Sequence, residues 1–366
     1  MAGQELRDVL RKRLRYQGLA GAPFTSVADV VGWLGAVQSQ EYAVAKWSVG
    51  QRATGLSDAG LDRALADGTI IRTHVLRPTW HFVLAADVRW LLSLTAPRVH
   101  ATIASYYRRY GLDGAAFARS EAVLARLLPG GNQLTRKQIG AELAAAGITT
   151  DNQVVGFLLG HAELEQVICS GGLIGRQRTY AWFDERVPPA PARDRDDALA
   201  ELTRRYFTSH GPATRADYQW WSSLTATDAT RGLELAAPDL AHTDVDGARY
   251  WHAAAPPPGP VEPAPRAHLL QPYDEYLVAY RGARAGYDRD GRLAAGRDPY
   301  ANGAILDGEY VANWRRTLSS KKLTIDVQPV RPLDRAARAA VTAAVDRYAG
   351  FLDLPPSLTI QDGPDA

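Results

Sequence analysis

Gln38 and Gln40 stand two apart in the stretch AVQSQEYAVAKW (residues 36–47), with only Ser39 between them, where the apolar run at 27–37 gives out. A carboxamide offers one carbonyl acceptor and two N–H donors but no usable acid or base. Such a pair can orient a water and aim a dipole at a growing positive charge. It can also cap backbone groups or sit in solvent, although glutamine is not a favoured cap. In an ideal helix, residues i and i+2 lie about 200° apart and cannot act together. In an extended segment they share one face, with Ser39 on the other. Chemistry by this pair therefore requires the helix to end by about Val37.

The usual engines of enzymes are missing from the sequence. Eight histidines are scattered without HExxH spacing, and there is no Walker loop, GxGxxG or GxSxG. His74 and His81 lie on two expected strands and read as histidines hydrogen-bonded near a strand surface. Asp274 and Glu275 in QPYDEY are adjacent, and neighbours on a strand face opposite ways, which argues against a paired-carboxylate site. The single cysteine, Cys169, excludes an internal disulfide and a cysteine-based zinc cluster. No metal and no organic cofactor is expected.

The elements that must position the pair follow from patterning. The chain has 366 residues, 46% hydrophobic and 22% charged, enough for several compact units. Three segments share one plan: a Thr or Ser cap, two short helices, then a strand pair. In the first, Thr25 or Ser26 caps the apolar run, a second helix covers 58–68, and strands TIIRTHVL and TWHFVLA turn at Arg77-Pro78. In the second, Thr135 caps LTRKQIGAELAAAG, and a hairpin covers 167–183. In the third, Thr214 caps ATRADYQWWSSL, and a hairpin turns at Asp246-Gly247. Helix–turn–helix followed by a β-hairpin is the winged-helix plan. Proline clusters at 187–194 and 256–265 divide the chain, and the C-terminal part reads as a β-rich unit, turned at Asp307-Gly308, with a final amphipathic helix. The fold class is α+β, with modules at 1–112, 113–190 and 195–255 and a C-terminal domain at 266–366.

The formal charge of +2 neither demands nor forbids a nucleic-acid partner. Arginine greatly outnumbers lysine, which fits coding bias in a GC-rich bacterial genome. Four stretches set basic residues beside aromatics: RKRLRY, YYRRY, GRQRTY and NWRRTLSSKK. Each alone reads as a solvated face; together with three winged helices they point to DNA, with Arg176 and Arg178 at the tip of a wing. No run approaches the roughly 18 apolar residues of a membrane span. The mixed-charge N-terminal segment reads as helix, so a cytoplasmic protein is expected.

QSQ after the first helix, RTHVLRPTWHFVLAADVRWLL (72–92), FTSHGPATRADYQWWSSL (207–224), LLQPYDEYLVAYR (269–281) and VANWRRTL (311–318) fall in an order that resembles the AlkZ/YcaQ-like winged-helix DNA glycosylases of bacteria. The resemblance runs from about Val9 to Leu354. It implies three tandem winged helices plus a β-barrel, arranged as a C-shaped channel around double-stranded DNA. It implies a bacterial enzyme, at the nucleoid when bound to DNA, that excises N-alkylated purines; some relatives unhook interstrand crosslinks made by alkylating natural products, a form of self-resistance. The family's catalytic pair falls on Gln38 and Gln40, which places the chain in the Gln-x-Gln branch. Ser39 stands where a small or aliphatic residue is usual, and Asn313 where a glycine is expected.

That chemistry suits two amides. Cleavage of an N-glycosidic bond passes through an oxocarbenium-like sugar. A guanine alkylated at N7 leaves as a neutral base and needs no strong acid, so one carbonyl can orient the water and the other can face the sugar. Positioning and a preorganised dipole are each worth several kcal/mol, on the order of 3 for one dipole. Lys46, Arg77, Arg176, Arg178, Arg315 and Arg316 are the expected phosphate contacts. Tyr42, Thr79, His81 and Trp314 are the expected lesion-pocket lining. A monomer acting with little base flipping is expected. The competing expectation is a DNA-binding protein without catalysis, for which the glutamines would have no role.

Overall fold

The computed structural model describes residues 2–21, 24–255, 264–282 and 302–363. The proline-rich linker at 256–263 and the stretch 283–301 lie outside the described residues.

After α1 (Ala2–Tyr16), one order of elements recurs three times. The first repeat runs α2 (Val27–Leu34), β1 (Val37–Gln38), α3 (Tyr42–Gly50), α4 (Asp58–Ala66), β2 (Ile70–Val75) and β3 (Arg77–Leu84). The long α5 (Ala85–Arg109) leads to the second: α6 (Gly114–Leu127), β4 (Gln133–Thr135), α7 (Arg136–Ala145), α8 (Asn152–Leu164), β5 (Ile168–Ile174) and β6 (Gln177–Trp182). A short α9 (Phe183–Arg186) and the extended proline-bearing stretch precede the third. It comprises α10 (Arg195–His210), α11 (Arg215–Ser222), α12 (Ala226–Ala236), β7 (Leu240–Val245) and β8 (Ala248–Ala253). The three-stranded orders β1-β3-β2 and β4-β6-β5 are the same, and in the third repeat an Ala213–Trp251 bridge takes the place of the first strand.

The expected caps form. Ser26, not Thr25, accepts the Asp29 N–H, and Thr135 and Thr214 close capping boxes with Gln138 and Asp217. Asp246-Gly247 and Asp307-Gly308 have positive φ at both positions, the hairpin geometry their types favour. Several helices were not expected, among them the long α5 and α10. Within the first repeat, α3 carries YAVAKWSVG, whose alternating small and large residues lack a clear helical stripe, and seven of its nine residues are nevertheless buried. In the second repeat α6 precedes the capped helix. The first hairpin turns at Leu76, with φ 62°, one residue before the expected Arg77-Pro78.

The C-terminal part departs further from expectation. Its β9 (Ala267–Leu270) is followed not by more strand but by a helical turn, α13 (Glu275–Val278), because Asp274 caps it by accepting the Tyr276 N–H. With β10 (Gly303–Leu306), β11 (Glu309–Leu318), β12 (Leu323–Pro329) and β13 (Pro356–Ile360) it forms an open sheet, β13-β12-β11-β10-β9. Among the described residues the sheet does not close, so the expected barrel is corrected to an open sheet. Its face is covered by α14 (Arg335–Leu352). One apolar core joins the first repeat to this sheet: Val30, Val31 and Leu34 of α2 are fully buried in the cluster that holds Trp314, Ile325 and Tyr348. Burying each aliphatic chain is worth about 1.5–3 kcal/mol, so α2 is anchored although only eight residues long. No described helix is long and apolar enough to cross a membrane.

Candidate active site

Helix α2 stops at Gly35, whose φ of 76° is costly for any residue with a Cβ. The chain then runs extended and adds to β3 with Val37 opposite Phe82 and Gln38 opposite His81. The Ser39 N–H continues the ladder to the Trp80 carbonyl at 2.7 Å. The geometric requirement of the glutamine pair is therefore met: both stand past the helix end. Gln38 is 6% exposed, Gln40 is half-buried, and the Ser39 side chain between them is fully buried.

The surroundings of Gln38 are polar and tightly connected. Its Oε1 accepts from Arg77 Nη2 at 2.8 Å, and Arg77 Nη1 donates to the Trp221 carbonyl at 3.1 Å. Its N–H donates to Glu275 Oε1 at 2.8 Å. The other carboxylate oxygen of Glu275 accepts the Trp221 indole N–H at 2.9 Å and lies 3.5 Å from His210 Nε2. Burial works against the charge on Glu275, but His210, Arg77 and the Gln38 N–H outweigh it and hold the pKa down at about 2. His81 is fully buried; desolvation, reinforced by Arg77, pushes it down to about 3. With Nδ1 3.0 Å from the Thr79 carbonyl, its neutral ring donates there and leaves Nε2 as an acceptor facing Arg77 at 3.4 Å. Gln40 Oε1 accepts a long 3.4 Å contact from the Trp80 N–H.

Asp274 and Glu275 diverge, though not for the reason their strand reading gave. Asp274 turns inward to a fully buried bidentate pair with Arg52, at 2.7 and 2.9 Å, while Glu275 turns to Gln38. The sequence reading weighed Glu275 only as half of a carboxylate pair and set it aside; its place behind Gln38 was not foreseen.

A basic groove of about 630 Å³ adjoins the pair. It is lined by Arg72, Trp80, Arg136, Lys137, Arg176 and Arg178 among others, with no carboxylate in its wall. Arg72 connects groove and pair: it donates to the Ser39 carbonyl at 3.1 and 3.2 Å and lies 4.4 Å from the centre of the Trp80 ring. Arg176 in the β5–β6 turn and Arg178 on β6 are exposed here, as their place in a hairpin suggested. Arg72, Trp80, Arg136 and Lys137 were not singled out in the sequence, since only folding brings β2, β3, α7 and β6 to one groove.

The other expected residues divide. Arg77 bonds Gln38 and His81 lies opposite it on β3, while Thr79 meets the site through its carbonyl on the His81 ring. Tyr42 lies near the groove, 5.8 Å from Arg178, but its hydroxyl donates to Asp62 at 2.5 Å. Lys46 of α3 is buried against α4, where Nζ is paired with Asp58 at 2.7 Å and Asp62 at 2.9 Å. Trp314 is 2% exposed in the shared core, with its indole N–H on the Leu270 and Gly303 carbonyls. Arg315 is exposed on β11, whereas Arg316 donates to the Tyr348 hydroxyl. Asn313, at the departure from the family pattern, accepts from the Tyr310 hydroxyl.

Comparison with known proteins bears on the family and the fold. The model of the family described as DNA glycosylase AlkZ-like matches residues 31–351. A Streptomyces sahachiroi protein named interstrand DNA cross-link repair glycosylase is 25% identical over 288 residues, covering 74% of this chain and 76% of its own. The solved structure of Streptomyces sahachiroi DNA glycosylase AlkZ shares the mixed α+β fold. It superposes with a TM-score of 0.73 at 22% identity, over 96% of this chain and 99% of that one.

Proposed function

The chain belongs to the AlkZ-like DNA glycosylases, and from that premise we propose that it hydrolyses the N-glycosidic bond of purines made cationic by alkylation at N7. The observation that carries this reading is the lack, among the described residues, of a general acid beside the pair. Glu275 is ionised and His81 is neutral at physiological pH, so neither can protonate a departing base. A leaving group that already bears a positive charge needs no such proton. The substrate supplies what the site omits.

Gln40, the more open of the two, orients the attacking water through its amide carbonyl. Gln38 is held by Arg77 on its side chain and Glu275 on its backbone, so its dipole is fixed before the substrate arrives. The buried Glu275 anion lies behind it and favours positive charge growing on the sugar, partly offset by Arg77. The repeats at 1–112, 113–190 and 195–255 act as winged-helix modules. With the 266–366 domain they line a C-shaped channel in which Lys137, Arg176, Arg178 and Arg315 meet phosphates of duplex DNA. The role in the name of the Streptomyces relative supports extending the substrate to interstrand crosslinks; self-resistance to an alkylating metabolite is the purpose such an activity would serve.

The test is incubation with duplex containing N7-methylguanine, with crosslinked duplex and with unmodified duplex, followed by alkaline cleavage of abasic sites. The alkylated substrates release base and unmodified DNA does not. Gln40→Ala lowers release by roughly a hundredfold, as removal of one preorganised dipole does elsewhere, with DNA binding retained. The single-turnover rate stays flat between roughly pH 5 and 9, since no donor titrates there. Retention of full activity in Gln40→Ala, or an inflection near neutrality, defeats the proposal.

A further inference from the structure

Far from the glutamines in sequence, α5, α6 and α8 converge on His100, Glu121, His161 and Glu165. We propose that His100, His161 and Glu165, with Glu121 beside His161, form a binding site for one divalent transition-metal ion of the zinc class.

The geometry is that of ligands facing a common point. One donor atom from each of His100, His161 and Glu165 lies within 4.8 Å of the others. His100 Nε2 is 2.9 Å from Glu165 Oε1, and His161 Nδ1 is 3.2 Å from Glu121 Oε1. Neither contact is aligned as a hydrogen bond, so both nitrogens are buried without one. An ion roughly 2.1 Å from each ligand sets ligand–ligand edges of roughly 3.4 Å, which the three donors, now within 4.8 Å of one another, reach by side-chain rotation.

The supports of the site match what metal-binding imidazoles need. His100 Nδ1 is 3.0 Å from the Tyr107 hydroxyl, which fixes the ring with Nε2 turned inward. The His161 ring is stacked on Phe117, 3.7 Å between centroids and 9° from parallel. Glu165, the C-cap residue of α8, follows His161 by four residues, which puts both on one side of the helix end. The histidine side chains are 21% and 17% exposed and the carboxylates 50% and 31%, so an ion has a way in. Two imidazoles with carboxylates suit zinc and its neighbours; calcium and magnesium prefer oxygen alone. A bound ion would tie α5, which continues from the β2–β3 hairpin beside Gln38, to α6 and α8 of the second repeat. Its role is to hold two repeats in register, apart from the hydrolysis.

The full chain is stripped with a chelator, dialysed and titrated with Zn²⁺ against a chromophoric competitor, in wild type, His161→Ala and Glu165→Gln. One equivalent binds wild type with micromolar or tighter affinity and raises Tm. Either substitution weakens binding about tenfold or more. Glu165 is half exposed, so Glu165→Gln retains its circular dichroism and separates lost ligation from lost folding. No stoichiometric binding, or equal binding in all three proteins, overturns the site. Neither result bears on base release by the glutamines.

Discussion

Glu275 accepts the Gln38 N–H and the Trp221 indole N–H and has no contact with solvent, yet it stays charged because hydrogen-bond donors and the Arg77 cation surround it. His81 sits in the same layer with the opposite outcome, neutral because the interior cannot solvate its cation. Their effects on stability share a sign. In the unfolded chain His81 takes up its proton below pH 6.5, whereas the folded protein resists until about 3; Glu275 does the same between 4.5 and about 2. Across that window the unfolded state binds more protons, so stability falls as pH falls. His210 and His268, also buried and pushed down by desolvation, act in the same sense. The urea midpoint should therefore drop steadily from pH 7 to pH 4. A midpoint that holds or rises over that interval contradicts the charge states assigned here.

Among the elements, the end of α2 decides whether the pair can work at all. Gly35 at φ 76° stops the helix, and a Cβ there meets only Trp221 at 3.9 Å, an ordinary contact. The cost of Gly35→Ala is thus backbone strain alone, about 1 kcal/mol. The variant should fold with a slightly lower Tm but lose base release well beyond that change, because relief of the strain shifts the Gln38 register on β3. Unchanged single-turnover rates would show that the exact path after α2 is unimportant. The cap and the apolar stripe of α2 were legible in the sequence. So was the extended run after it, once the i, i+2 spacing was taken seriously. Helix α3 was not legible: besides its neighbours α2, α4 and β1 it is buried by α14 and β9 around Trp47, more than two hundred residues away.

For the whole molecule, the distribution of charge matters more than the sum of +2. Lys137 and Arg176 line an acid-free groove, while Lys46 is spent on Asp58 and Asp62. Lys137→Ala and Arg176→Ala should each reduce the slope of log K for duplex binding against log salt by about one. Lys46→Ala should leave that slope unchanged and lower Tm, since it strands two carboxylates. Fluorescence anisotropy at a series of salt concentrations separates the two classes. If Lys46→Ala lowers the slope like the others, the assignment of its ion pairs as internal is wrong.

The sequence by itself determined what is local: caps, hairpin dipeptides, the recurrent helix and strand pattern, the absence of acid, base and nucleophile motifs, and the glutamine pair. These depend on neighbours a few residues away, which the linear order preserves. The tertiary structure alone decided which charges are free and which are consumed, that Glu275 lies behind Gln38, that Trp314 belongs to the core, that the C-terminal strands form an open sheet, and that two histidines 61 positions apart meet. Burial and electrostatics are set by everything within a few ångströms in space, and no pattern along the chain specifies that shell.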